Sequence, residues 1–223
     1  MTDLRAVSFD LDGLMFNTED VYWEVGCELL KRRGQEFTRE LASAMMGRPP
    51  KESFEVMIAW CNLDDTWQEL QAETEELCVG LLEKRLAPMP GLLELLAALE
   101  RAGIPKAICT SSPRRFLTAV LEPFAMERRF QFMLAAEDVT HGKPHPEIYL
   151  KAAERFGLAP EHTMVLEDSQ TGCEAAAAAG TFVVAVPSEH SRHQDFRVAS
   201  LVADSLRDAR IYEALGLEPN RRE

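Results

Sequence analysis

Five short apolar runs, each stopped by acidic, hydroxyl-bearing or proline residues, constrain the fold of this chain more than any other feature. Residues 5–9 run into Asp10, 106–109 into Thr110-Ser111-Ser112-Pro113, 132–136 into Glu137-Asp138, 163–166 into Glu167-Asp168, and 181–186 into Pro187. Apolar runs this short, with no alternating polar face, suit strands buried on both sides. Helical periodicity fills the intervals, at 92–101 before Gly103, 114–121, 146–156 before Gly157 and 169–179 before Gly180. Glycine is a common residue just past a helix end. Strands alternating with helices predict an α/β fold whose parallel sheet is covered on both faces.

The alternation fails once. Residues 18–86 carry helical patterns at 19–33, 39–46, 51–61 and 65–85 and no strand-like run. A stretch of that length suits a small domain. The chain is therefore expected to divide into an α/β core of residues 1–16 and 88–223 and an all-helical insertion of residues 17–87. Ala87-Pro88-Met89-Pro90-Gly91 marks the return, since two prolines and a glycine stop the long helix.

With 223 residues and 46% hydrophobic content, the chain can bury a full core. Its formal net charge of −13 argues against a nucleic acid or an anionic membrane surface as partner, because both repel an acidic surface. The first residues show no basic stretch followed by an apolar signal core, and charges interrupt each apolar run before membrane-spanning length. A cytoplasmic location is expected, with a monomer as the favoured state. Cys27, Cys61, Cys78, Cys109 and Cys173 are an odd, widely spaced set without a Cys-x-x-Cys pair, so reduced and mostly buried thiols are expected. His190 and His193 lie in a Ser-, Gln- and Arg-rich stretch that reads as a solvated loop.

Open parallel sheets bind ligands beyond the carboxyl ends of their strands. The residues placed there form a set: Asp10, Asp12, Thr110, Ser111, Lys143, Glu167 and Asp168. A carboxylate can attack a phosphoryl group to make an acyl phosphate, splitting one hard displacement into two easier ones, and Asp10 suits that role. Asp12 can protonate the leaving alkoxide and later take a proton from water, while Gly13 lets the backbone turn close to a substrate. Several carboxylates beside a phosphate call for a divalent cation, and an oxygen-only donor set favours Mg2+. Asp10 and Asp168 are the expected carboxylate ligands, with the Asp12 carbonyl; Glu167 binds directly, binds through water, or tunes the field. Lys143 supplies a fixed positive charge, and Thr110 with backbone amides around Ser111 can hold phosphate oxygens. Singly, each piece has a plainer reading. Asp-x-Asp-Gly is a common turn, Lys143-Pro144 a surface turn, and Glu167-Asp168-Ser169 and Thr110-Ser111-Ser112 are helix caps. The joint occurrence at strand ends outweighs these.

In this order the residues resemble the four motifs of the haloacid dehalogenase superfamily. Phe9-Asp10-Leu11-Asp12-Gly13 resembles the first, Ile108-Cys109-Thr110-Ser111 the second, Gly142-Lys143-Pro144 the third and Leu166-Glu167-Asp168-Ser169 the fourth. The helical insertion resembles the small cap of the phosphatase and β-phosphoglucomutase branch. The resemblance implies a Rossmann-like sheet, a nucleophilic Asp10, and a cap that closes over a small phosphorylated metabolite and excludes water. Retention of Asp12 implies phosphoryl transfer, since a halide leaves without a proton. No cap lysine among Lys31, Lys51 and Lys84 stands out as the imine former of the phosphonatase branch. The expected activity is magnesium-dependent hydrolysis of a phosphomonoester, such as a sugar or polyol phosphate.

Residues 166–172 also resemble β-phosphoglucomutase. Tyr22, however, stands where that subgroup has a cap histidine, and Pro50 stands where an arginine is expected three residues after the glycine matching Gly47. Arg48 and Lys51 remain candidates for binding a second anionic group; Tyr22 and Trp23 read as helix-packing aromatics. A signalling receiver would carry its acidic pair after the first strand and its phosphoacceptor after the third, so chain order disfavours it. A non-catalytic binding protein would have less need of Asp10, Asp12, Lys143 and Asp168 together.

Overall fold

The computed structural model describes residues 3–45 and 50–218. Strand β1 (Ala6–Phe9) is followed by four helices, α1 (Thr18–Lys31), α2 (Arg39–Met45), α3 (Pro50–Cys61) and α4 (Trp67–Arg85). The rest alternates: α5 (Leu92–Arg101), β2 (Lys106–Cys109), α6 (Arg114–Leu121), β3 (Phe132–Leu134), α7 (Glu147–Phe156), β4 (Thr163–Glu167), α8 (Gln170–Ala178), β5 (Phe182–Ala185), β6 (Leu201–Val202) and α9 (Ala209–Ala214). Thr18–Leu86 forms one compact unit and the remainder another.

All six strands run parallel in the order β3-β2-β1-β4-β5-β6. The chain winds outward from β1 in one direction to β3, then returns to β4 on the other side of β1. At such a reversal, here between β1 and β4, loops from both directions meet beyond the carboxyl ends of the strands, where ligands bind in open parallel sheets. Every residue of β1, β2 and β4 is buried, as unalternating apolar runs require. Two elements escaped the sequence pattern. The two residues of β6 are too short a run to register, and Val202 there is exposed; α9 is also short. β3 stops at Leu134, earlier than expected, because the Asp138 carboxylate accepts the Ala135 amide (2.8 Å) and turns the next residues into a short 3-10 helix.

Helix α5 shows how the covering layers form. Leu92, Leu95, Leu96 and Leu99 follow the i, i+3, i+4, i+7 pattern and are fully buried. Each contributes about 1.5–3 kcal/mol on leaving water. On α7 and α8, Ile148, Tyr149, Ala152, Cys173, Ala175 and Ala176 pack with Val165 and Val183 of the sheet, the small alanines allowing close approach.

The helical unit has its own core of Leu29, Leu30, Leu41, Phe54, Met57 and Leu70. Its α4 begins with a reciprocal cap, in which the Thr66 hydroxyl accepts the Glu69 amide (3.3 Å) and the Glu69 carboxylate accepts the Thr66 amide (2.8 Å). This cap places the helix start two residues later than the sequence pattern. Among the described residues, no helix is long and apolar enough to cross a membrane.

Candidate active site

The carboxyl ends of the central strands deliver the site. Asp10 directly follows β1, its amide bonded to the Leu166 carbonyl (3.0 Å); Thr110 follows β2, its amide bonded to the Leu134 carbonyl (3.0 Å). Glu167 ends β4 and Asp168 is next. Lys143 enters from the loop ahead of α7. Its ammonium donates to Asp10 Oδ1 (2.5 Å), the Cys109 carbonyl (3.0 Å) and Glu167 Oε1 (2.6 Å), so all three of its protons have acceptors. The lysine side chain is 6% exposed and that of Glu167 1%. Charge-assisted bonds made this far from water are strong, and losing one leaves an uncompensated buried charge.

Glu167 is itself held from several directions. The Tyr149 hydroxyl donates to Oε1 (2.7 Å), and the Ser169 amide (3.3 Å) and hydroxyl (3.0 Å) donate to Oε2. Ser169 is also the N-cap of α8, its hydroxyl oxygen accepting the Gly172 amide (3.1 Å). The cap is thus present, and the same serine also bonds the Glu167 carboxylate. A Cβ on Gly172 would lie 1.9 Å from the Glu167 carboxyl group, so only glycine lets the helix come this close. The Tyr149 ring lies 5.2 Å from the lysine nitrogen, within cation–π range. The sequence pattern does not mark Tyr149 or Gly172. A glycine inside an otherwise helical pattern was the available signal for Gly172; Tyr149 looks like an ordinary core aromatic.

Asp12 has a separate set of partners. Its Oδ2 accepts from the Ser112 hydroxyl (2.7 Å) and the Thr110 hydroxyl (3.2 Å), while the Ser112 amide donates to Thr110 Oγ1 (2.9 Å). The serine that reaches Asp12 is Ser112; Ser111, around which backbone amides are the expected phosphate donors, is exposed. These hydroxyls do not cap α6; the Glu137 carboxylate accepts the Arg114 amide instead (3.0 and 3.1 Å). Gly13 has φ +71° and donates its amide to the Phe16 carbonyl (3.0 Å), so the tight turn uses a conformation that favours glycine.

Burial pushes the Asp10 carboxyl well above the usual range; Lys143 pulls it back, and Glu167 and Asp12 add to the upward push. Burial opposes charge on Lys143, but Asp10 and Glu167 outweigh it and hold the ammonium above its ordinary value. Burial, then the Glu167 charge, keeps the Tyr149 phenol protonated and hence a donor. Cys109 is pushed up to about 12, chiefly by burial, and stays a neutral thiol. Asp10, Glu167 and Asp168 each offer a carboxylate oxygen within 4.8 Å of the others, a buried group that could hold a metal ion.

The remaining candidates belong to the helical segment of residues 18–86. Lys51 is in α3 of the helical unit, exposed and 3.7 Å from Glu55; Arg48 falls outside the described residues. Trp23 packs on Phe37 with ring centroids 5.2 Å apart, whereas Tyr22 is 41% exposed. The five cysteines are free, and all but Cys27 are buried.

Residues 7–186 match the family described as haloacid dehalogenase-like hydrolase. A phosphorylated carbohydrates phosphatase of Thermotoga maritima is 32% identical over 177 residues, covering 79% of this chain and 82% of that protein. A validoxylamine A 7'-phosphate phosphatase of Streptomyces hygroscopicus subsp. limoneus is 30% identical over 193 residues, covering 83% and 87%. Among solved structures, CbbY of Rhodobacter sphaeroides in complex with phosphate superposes with a TM-score of 0.77 at 26% identity, covering 91% of this chain and 95% of that one.

Proposed function

The chain belongs to the haloacid dehalogenase-like hydrolase family, and from that premise we propose that it hydrolyses a small phosphomonoester, such as a sugar or polyol phosphate, through an aspartyl phosphate on Asp10. The observation that carries this reading is the bonding of Lys143 to both Asp10 and Glu167 away from water. A lysine so placed opposes the push of burial and favours the anionic form of the carboxylate, the form a nucleophile needs. With Oδ1 of Asp10 paired to Lys143, Oδ2 is the oxygen that attacks phosphorus. Asp12, steadied by Thr110 and Ser112, protonates the departing alkoxide and then takes a proton from the water that cleaves the acyl phosphate.

The donor chemistry fits Mg2+, since the carboxylate cluster offers only oxygen and carries more negative charge than Lys143 offsets. Bound there, the ion would supply positive charge against the phosphoryl oxygens. Asp10 and Asp168 would hold it with the Asp12 carbonyl. Glu167 is already engaged by Lys143, Tyr149 and Ser169, which favours its acting on the lysine over binding the ion directly. The helical unit would serve as the cap, with Arg48 and Lys51 as candidates for a second anionic group of the substrate. The Thermotoga and Streptomyces relatives, both named for phosphorylated substrates, support the phosphatase assignment.

Phosphate release across a panel of phosphorylated metabolites, with Mg2+ or with EDTA, tests this reading. Release should require Mg2+ and fall by at least about 10³-fold in Asp10→Asn and strongly in Asp12→Asn. Undiminished turnover in purified Asp10→Asn would sink the mechanism. Conversion of β-glucose 1-phosphate to glucose 6-phosphate outrunning phosphate release would move the assignment to a mutase.

A further inference from the structure

The loop that delivers Lys143 carries a second group of side chains able to ligate a metal. Lys143 points inward, whereas His141 and His145, two residues to either side of it, are exposed. Together with Glu147, at the start of α7, they each offer a ligand atom within 4.8 Å of the others. The two imidazole rings lie side by side, with centroids 4.6 Å apart.

Glu147 fixes the arrangement. Its Oε1 accepts from the Thr140 amide (2.9 Å) and Lys151 Nζ (2.7 Å), and its Oε2 accepts from the His141 amide (2.9 Å) and lies 3.2 Å from His141 Nδ1. A ring nitrogen facing a carboxylate favours carrying the proton, which in the neutral ring leaves the Nε2 of His141 its lone pair. A carboxylate behind the imidazole is the usual companion of a metal-binding histidine, because it fixes the tautomer and raises the basicity of the ring. His145 Nδ1 accepts the Glu147 amide at 3.3 Å, long for such a bond, so exchanging it for a metal or switching tautomer costs little.

We propose that His141 and His145 bind a borderline divalent cation, zinc being the probe of choice, with Glu147 as the carboxylate that orients His141. Imidazole nitrogens favour zinc, whereas carboxylate oxygens alone favour magnesium, so this site is distinct in chemistry from the Asp10, Glu167 and Asp168 cluster. A bound ion would tie together the two sides of the loop around Lys143. The inference does not depend on the proposed hydrolysis.

Calorimetric titration of the full chain with Zn2+ in excess Mg2+, which competes for the carboxylate cluster, tests it. The parent should bind one equivalent at this site. His141→Ala and His145→Ala should each weaken that binding roughly tenfold or more. Zn2+ should raise the melting midpoint of the parent and not that of the double variant. Both positions are exposed, and matching melting curves without zinc establish that the variants are folded. All five cysteines remain in the double variant, so zinc held by thiols would persist there. Absence of binding by the parent, or binding of parental affinity by the double variant, overturns the proposal.

Discussion

In each unit a partly or fully buried cation is tied to two carboxylates, and the two clusters differ in depth. In the α/β unit, the Lys143 side chain is 6% exposed between Asp10 at 9% and Glu167 at 1%. In the helical unit, Arg33 is 17% exposed between Asp65 at 23% and Glu73 at 24%, bonded to each at 2.7 Å. The deeper cluster loses several kcal/mol of hydration per ion and is tolerable only because its polar atoms find partners. Lys143 has three acceptors, and Tyr149 and Ser169 complete Glu167. The shallower cluster keeps part of its water and fastens the end of α1 to the start of α4. Depth thus separates a charge arrangement suited to chemistry from one suited to joining helices.

The sharpest way to break the contrast is to remove each cation in turn. Lys143→Met should destabilise the protein by about 3–5 kcal/mol in chemical denaturation, since two buried carboxylates lose their counter-charge, and should abolish turnover. Unchanged stability would mean that the burial argument is wrong. Gly172→Ala should cost about 1–3 kcal/mol, because its Cβ would overlap the Glu167 carboxyl group. Turnover should fall with it as Glu167 shifts the lysine. A fully active, parentally stable Gly172→Ala would show that α8 can move away freely.

Tyr149→Phe probes the same cluster more gently. It removes a single donor to a buried carboxylate, with an expected loss of about 1–3 kcal/mol. The kinetic signature should be a lower kcat at unchanged KM, because the phenol supports Lys143 and Glu167 without reaching substrate. A rise in KM alone would contradict that role.

The smallest effect belongs to the helical unit. Arg33→Met should cost only about 0–1 kcal/mol at neutral pH. Hydrogen bonds from Arg33 hold the Asp65 and Glu73 carboxyls below their ordinary values. The resulting stability is complete above the ordinary carboxylate range and is lost as pH falls through the lowered folded-state values. Melting curves of parent and variant should therefore converge in acid. A gap that widened on acidification would reverse the sign of the linkage.

Much of the architecture was legible because strand and helix patterns are local. The expectation for residues 106–109 and 114–121 matches β2 and α6, and the strand-end positions of Asp10, Thr110 and Glu167 follow from where the apolar runs stop. The near misses have local causes too, such as the Thr66 cap that delays α4 and the Asp138 turn that shortens β3. The partners were less legible. That the Ser112 hydroxyl reaches Asp12 depends on which way it points after β2, and spacing alone does not carry that direction. Gly172 is needed only because Glu167 lies against it.

The sequence by itself determined which chemically active groups this protein owns and which strand ends carry them, because hydrophobic period and turn residues act over a few positions. Tertiary structure alone decided who bonds to whom. Lys143 meets Asp10 across 133 positions, and Ser112 meets Asp12 across 100. A hydrogen bond forms or fails within a few tenths of an ångström, and that precision arises only when the sheet and its covering helices fix several distant segments at once.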